Sequence, residues 1–290
     1  MGLGDRGAGD LLPALDEILG LAQELWPDSG CNYGQIAWWA ANLPHGETEV
    51  RLWHEDGRLV GWGWMTAGTE LEFDVRPSHR ALLDEILEWA EPDELLVRAD
   101  HADAIARIEA HGLVHDPDAP WMRLNARSLD EIETPQVPDG YRLRTVEPDD
   151  WPSRVEAHRS AFHPSRFRED VYAFVRSIPA YRPDLDCVVE APDGSIAAYT
   201  LGWFDEVNRV GEFEPVGTHE RHRRLGLARA VGLFALERLR DLGAETALVA
   251  CRGDAAYPAP ARLYESMGFT EMWRQLAYRR PSDRSDGTGL

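Results

Sequence analysis

The sequence predicts a mixed α/β fold laid out as two successive copies of one strand and helix plan. Three observations carry that expectation. Two hairpins with Asp-Gly turns recur, residues 49–54 and 58–66 around Glu55-Asp56-Gly57, and residues 187–190 and 196–204 around Pro192-Asp193-Gly194. Each hairpin is followed by a strand, a helix, a strand and a second helix. That second helix ends on related strings, Arg107-Ile108-Glu109-Ala110-His111-Gly112-Leu113 and Arg262-Leu263-Tyr264-Glu265-Ser266-Met267-Gly268-Phe269.

In chain order, Leu11, Leu15, Ile18, Leu19, Ala22 and Leu25 recur at helical spacing and stop at Trp26-Pro27. A short helix carrying Ile36, Trp38 and Trp39 precedes the first hairpin. Residues 70–75 read as a strand, 81–90 as a helix, 94–98 as a strand, 102–111 as a helix closed by Gly112, and 121–125 as a strand. Residues 128–140, with Glu131, Glu133, Pro135, Pro138 and Gly140, form a polar linker. The second copy then runs as a strand at 141–144, helices at 151–162 and 168–177, the second hairpin, a strand at 211–218, a helix at 227–242 closed by Gly243, and a strand at 246–250. The expected division is 1–127, a linker at 128–140, 141–280, and a tail at 281–290 whose Ser, Asp, Arg and Gly lack periodicity and predict disorder.

Composition limits the function. The 290 residues carry a formal net charge of −21, which argues against nucleic acid as a general partner and fits a cationic substrate. No apolar run is long enough to span a bilayer, and residues 1–10 lack a signal-peptide pattern, so a cytoplasmic protein without membrane attachment is expected. All 30 basic residues are arginine, which reflects coding bias rather than chemistry. Cys31, Cys187 and Cys251 are scattered and read as buried thiols, and the ten histidines show no metal-ligand spacing, so no metal is expected. Eight of eleven tryptophans precede the linker; Trp62 and Trp64 share one strand face and point to packing.

One stretch departs from this acidic background: Val216-Gly217-Thr218-His219-Glu220-Arg221-His222-Arg223-Arg224-Leu225-Gly226-Leu227-Ala228. It leaves a strand, passes three arginines and meets a glycine where a helix begins. Unpaired N–H groups at a helix start, together with fixed positive charge, suit a polyanionic ligand. The counterpart Val75-Arg76-Pro77-Ser78-His79-Arg80-Ala81 is shorter and lacks glycine, so the first half is expected not to hold the same ligand.

With the Leu263-Tyr264 and Gly268-Phe269 pattern, this stretch resembles the GCN5-related N-acetyltransferases. The resemblance implies two tandem domains of that kind, each a mixed, mostly antiparallel twisted sheet flanked by helices, the first degenerate. It implies acetyl-CoA as co-substrate, bound by Val216, Gly217, Thr218, Arg223, Arg224, Leu225, Gly226, Leu227 and Ala228. The strand at 211–218 would splay from its neighbour, and Pro215 and Gly217 suit a local break in its ladder. Tyr264 takes the family position of an acid for the departing thiolate. By strand period, Glu212 and Glu214 share a face near the acyl group, and either is a candidate general base. Tyr257 stands where many relatives carry a cofactor-contacting asparagine. His163 is a candidate proton relay, and Trp203, Phe204, Asp205 and Glu206 end the strand beside the site.

The implied reaction is acetyl transfer to a primary amine of a small molecule in a ternary complex, by a monomer or homodimer. The alternatives are a non-catalytic acyl-CoA-binding sensor and a transferase acting on a protein N-terminus.

Overall fold

The computed structural model describes residues 8–41 and 48–281. The expected tail lies, but for Pro281, outside the described residues.

The first half runs α1 (Ala8–Leu25), α2 (Tyr33–Trp39), β1 (Thr48–Glu55), β2 (Arg58–Thr66), β3 (Glu70–Val75), α3 (Leu82–Ala90), β4 (Glu94–Arg98), α4 (Ala102–Ala110), β5 (Val114–His115) and β6 (Met122–Ser128). After residues 129–141, which hold neither helix nor strand, come β7 (Arg142–Thr145), α5 (Trp151–Ala161), α6 (Glu169–Ser177), β8 (Asp186–Glu190), β9 (Ile196–Asp205), β10 (Val210–Thr218), α7 (Leu227–Asp241), β11 (Thr246–Arg252), α8 (Ala259–Ser266) and β12 (Thr270–Arg279). The first hairpin turns through Asp56 and Gly57, both at positive φ, as an Asp-Gly turn requires. The fold is mixed α/β, with a mostly antiparallel twisted sheet flanked by helices.

Among the described residues the strands form one sheet in the order β1-β2-β3-β4-β12-β6-β11-β10-β9-β8-β7, with β5 on β12. Only β3–β4 and β10–β11 are parallel. The two halves exchange their last strands. First-half β6 lies against β11, while second-half β12 pairs with β4 and β5 and meets β6. Each half thus completes its sheet with the other's chain.

The cores reflect this interlocking. One packs α1, α2, Trp62 and Trp64 against Val155, Val171, Tyr172 and Trp203 of the second half. A second, around α7, draws on Leu129 from the connecting segment. The two tryptophans are therefore packing residues, both nearly inaccessible. Burying such side chains removes about 150–250 Å² each from water, which makes the contact between halves a core rather than a surface.

Candidate active site

Two parallel pairings open in the middle of the sheet. β10 and β11 are in register from Val210↔Thr246 to Phe213↔Val249 and then part. On its other edge the β10–β9 ladder is interrupted between Phe213 and Val216, across Glu214 and Pro215. Proline cannot donate to a ladder, so the break falls where the sequence puts it. Beyond the break the β11-facing edge of β10 has no strand partner.

β10 ends at Thr218, beside Gly217, which takes Tyr199 so closely that an added Cβ would lie 2.6 Å from the ring. A short 3-10 turn at Glu220–His222 follows, anchored to α5 by the Glu220 N–H on Ser160 Oγ at 3.0 Å. Arg224 and Gly226 then adopt left-handed backbone, φ 70° and 76°. Such turns gather successive N–H groups into an anion-binding concavity. Gly226 is the N-cap of α7, and no atom lies within 4 Å of the place its Cβ would occupy. The first bond into the helix runs from Ala230 N–H to Gly226 O, so the amides of Leu227, Ala228 and Arg229 precede the helical ladder. Arg221, Arg223 and Arg224 are exposed around this opening, Arg223 reaching the Ser160 and Ala161 carbonyls at 3.4 Å.

Where β10 and β11 part, the charge of Glu214 acts on the Tyr264 hydroxyl and the charge of Glu212 acts on Glu214. Glu212 is 3% exposed and accepts hydrogen bonds from Gly34 N–H, at 2.7 Å, and Gln35 N–H. Burial outweighs those donors and raises its pKa to about 7. Glu214 is half-buried, and desolvation, then the charge of Glu212, push it to about 8. Tyr264 on α8 is buried; burial first and the Glu214 charge second hold its hydroxyl well above the usual tyrosine range. Environment thus sets two carboxyls near neutrality close to a tyrosine that stays protonated.

Beneath this trio, a buried network fixes α5 to the sheet. Arg154 Nε donates to Asp186 Oδ1 at 3.1 Å and its guanidinium stacks on Tyr199, 3.4 Å from the ring centroid. The Tyr172 hydroxyl donates to Asp186 at 2.7 Å, and Tyr199 Oη and His158 Nδ1 are 2.7 Å apart. Burial and the neighbouring Arg154 depress His158 to about 3, so it remains neutral.

The description of the Acetyltransferase (GNAT) family matches residues 144–269. The mycothiol acetyltransferase of Nocardiopsis dassonvillei is 30% identical over 282 residues, covering 83% of this chain and 84% of that protein. The chain belongs to the GNAT family. The mycothiol acetyltransferase of Thermomonospora curvata is also 30% identical, over 82% of this chain and 84% of its own length. The fold matches a tandem GNAT protein from the clavulanic acid biosynthesis pathway with a TM-score of 0.64 at 19% identity, over 94% of this chain and 96% of that one. A GNAT protein from Sphaerobacter thermophilus gives 0.62 at 20% identity, with 95% of each chain covered.

As a GNAT acetyltransferase this chain is an acyltransferase with acetyl-CoA as co-substrate. Its residues fit that molecule: left-handed Gly226 in open space, unladdered amides at the start of α7, and exposed arginines beside them. Tyr257, by contrast, is 53% exposed in the loop before α8. His163 is exposed as well; the histidine packed on Tyr199 of β9 is His158. No helix among the described residues is long and apolar enough to cross a membrane.

The sequence reading misses the first half's part in the site. The first turn of α2, at Gly34 and Gln35, supplies both backbone donors to Glu212. Gly34 is required there, since an added Cβ would sit 2.8 Å from the Glu212 carboxylate. No spacing in the sequence signals a contact across 178 residues.

Proposed function

We propose that this chain transfers acetyl from acetyl-CoA to the primary amine of a small molecule, by direct attack within a ternary complex. The observation that carries the reading is the Glu212, Glu214 and Tyr264 trio at the parting of β10 and β11. The relatives' name, mycothiol acetyltransferase, makes the free-amine form of mycothiol the first acceptor to try. We further propose that residues 141–280 form the catalytic domain, and that residues 1–127, joined to it by 128–140, form a degenerate copy.

In this reading Gly226, Leu227 and Ala228 hold the pyrophosphate through backbone amides, with Arg223 and Arg224 as counter-charge and Leu225 in the turn. The unpaired edge of β10 from Val216 through Gly217 to Thr218 holds the amide-bearing arm. Acetyl-CoA supplies an acyl group activated as a thioester. The acceptor ammonium gives a proton to the Glu212 and Glu214 pair, and the neutral amine forms the C–N bond as the C–S bond breaks. Val216 N–H faces the carbonyl oxygen, and the Tyr264 hydroxyl donates to the departing sulfur. The proton count closes: the nitrogen loses two protons, one before attack and one as the adduct collapses, and the two carboxylates take them; one of these restores the tyrosinate left when Tyr264 protonates the sulfur, and the other passes to solvent. A covalent route through Cys251 is disfavoured, because burial raises that thiol and keeps it protonated.

The test is release of free thiol from acetyl-CoA by the purified chain against a panel of small amines and N-terminal peptides. Acceptance of a small amine, with peptides inert, supports the reading. Turnover of peptides alone overturns it in favour of a transferase acting on a protein N-terminus.

A further inference from the structure

Asn32 is the N-cap of α2, with extended backbone at φ −90° and ψ 157°. An asparagine in that position ordinarily accepts from the N–H of the second or third helical residue. Here those residues are Gly34 and Gln35, and both N–H groups are taken by Glu212. Glu212 thus caps α2 from β10; the Asn32 side chain faces Gln35 N–H in capping-box fashion, with Asn32 N–H on Gln35 Oε1 at 3.4 Å, but makes no cap hydrogen bond of its own. Asn32 is 2% exposed, and neither its Oδ1 nor its Nδ2 has a hydrogen-bond partner. A buried amide left unmatched costs about 1–3 kcal/mol, so something polar is expected beside it.

A void of about 10 Å³ lies there, lined by Asn32, Glu212, Ser29, Tyr33, Trp203 and Asp205 among others. About 10–15 Å³ of such space admits one water, provided it finds two to four polar partners. Asn32 and Glu212 supply two.

We propose that Asn32 is a positioning residue for Glu212: it holds one buried water that donates a hydrogen bond to the carboxylate, so that residues 30–35 of the first half complete the site of the second. The inference rests on the reading of Glu212 as part of the base. A third donor favours the ionised carboxylate, offsetting part of the burial that pushes it towards neutrality. The titratable and charged groups on the surrounding elements are Tyr33 of α2, Asp205 of β9, Glu214 of β10, and Arg154 and His158 of α5; α7 turns an apolar face to the sheet. All of these are common to the variants below, so a difference between variants isolates Glu212.

The experiment compares pH profiles of kcat/KM. Asn32→Leu keeps the volume and removes both polar atoms. The acid limb is expected to move up by about one pH unit, with about a tenfold loss below it and an unchanged KM for acetyl-CoA. Asn32→Ser, which leaves room for water and a hydroxyl, is expected to return the limb towards its original place. Equal loss at every pH in Asn32→Leu overturns the proposal, as does an unshifted profile. Should the leucine variant not fold, a high-resolution crystal structure of the unaltered protein decides: a water bridging Asn32 and Glu212 supports the proposal, and a dry void overturns it. Full activity in Glu212→Gln overturns the base assignment and Asn32's part in catalysis with it; a dry void beside an essential Glu212 overturns Asn32 alone.

Discussion

The two openings in the sheet share much. β3 carries Glu72-Phe73-Asp74 and β10 carries Glu212-Phe213-Glu214, each on a strand that pairs briefly with a parallel neighbour and then diverges. The loop before α2 and the first turn of α2 clamp one each: Gly30 N–H donates to Asp74 at 2.8 Å, and Gly34 N–H to Glu212 at 2.7 Å. The first opening holds a cavity of about 580 Å³, lined in part by Asp74, Val97 and Arg98. At the second, the void beside Glu212 is only about 10 Å³. What separates the two is the approach to the helix. Before α3 no residue from Arg76 to Leu82 has positive φ, whereas before α7 Arg224 and Gly226 do. Only the second turn can bring consecutive amides round an anion.

That contrast can be broken or sharpened in several ways. The largest effect is expected at the carboxylates of the second opening: Glu212→Gln together with Glu214→Gln should lower kcat/KM by about 10²–10⁴-fold, read as thiol release. In the unaltered enzyme kcat/KM should climb with pH through macroscopic values belonging to the pair, between about 7 and 8, because a base must be deprotonated. A flat profile from pH 6 to 9 would remove the pair from the mechanism.

Gly226→Val comes next. The left-handed backbone costs a β-branched residue about 1–3 kcal/mol, so KM for acetyl-CoA should rise about tenfold or the helix start should shift. A smaller effect separates the two turns directly. Arg224→Ala should raise KM for acetyl-CoA a few-fold, less so at high salt, while Arg80→Ala in the first opening should leave it unchanged. Equal effects would mean that both halves bind the cofactor.

The smallest effect concerns stability at Glu72, which desolvation, then the charge of Glu70, raise to about 8 from an ordinary 4.5. A carboxyl whose folded pKa lies above its unfolded value favours folding fully below the unfolded value, and that contribution is lost as pH rises through the folded one. Thermal melts should therefore show Glu72→Gln gaining on the unaltered protein between pH 5 and 8, with the two closest at low pH. A gain that shrinks with rising pH would contradict the shift.

Much of this was legible beforehand where the signal is local. The Asp-Gly hairpins, the break at Pro215 and the helix start at Gly226 depend on φ values and missing N–H groups that a few residues dictate. Strand β12 was not legible, because a bulge between Glu271 and Trp273 disturbs its alternation and its buried positions include Gln275. His158 was missed in favour of His163: burial distinguishes them, and burial belongs to the assembled fold.

Patterns within a few tens of residues were enough for the order of the elements other than β5 and β12, for the family, and for the turn that gathers amides before α7. Only the tertiary structure decided that the halves exchange their last strands, that Glu212 rather than Asn32 caps α2, and that two carboxyls separated by one residue are raised towards neutrality. Those outcomes depend on desolvation and on contacts between residues more than a hundred positions apart, which no local pattern encodes.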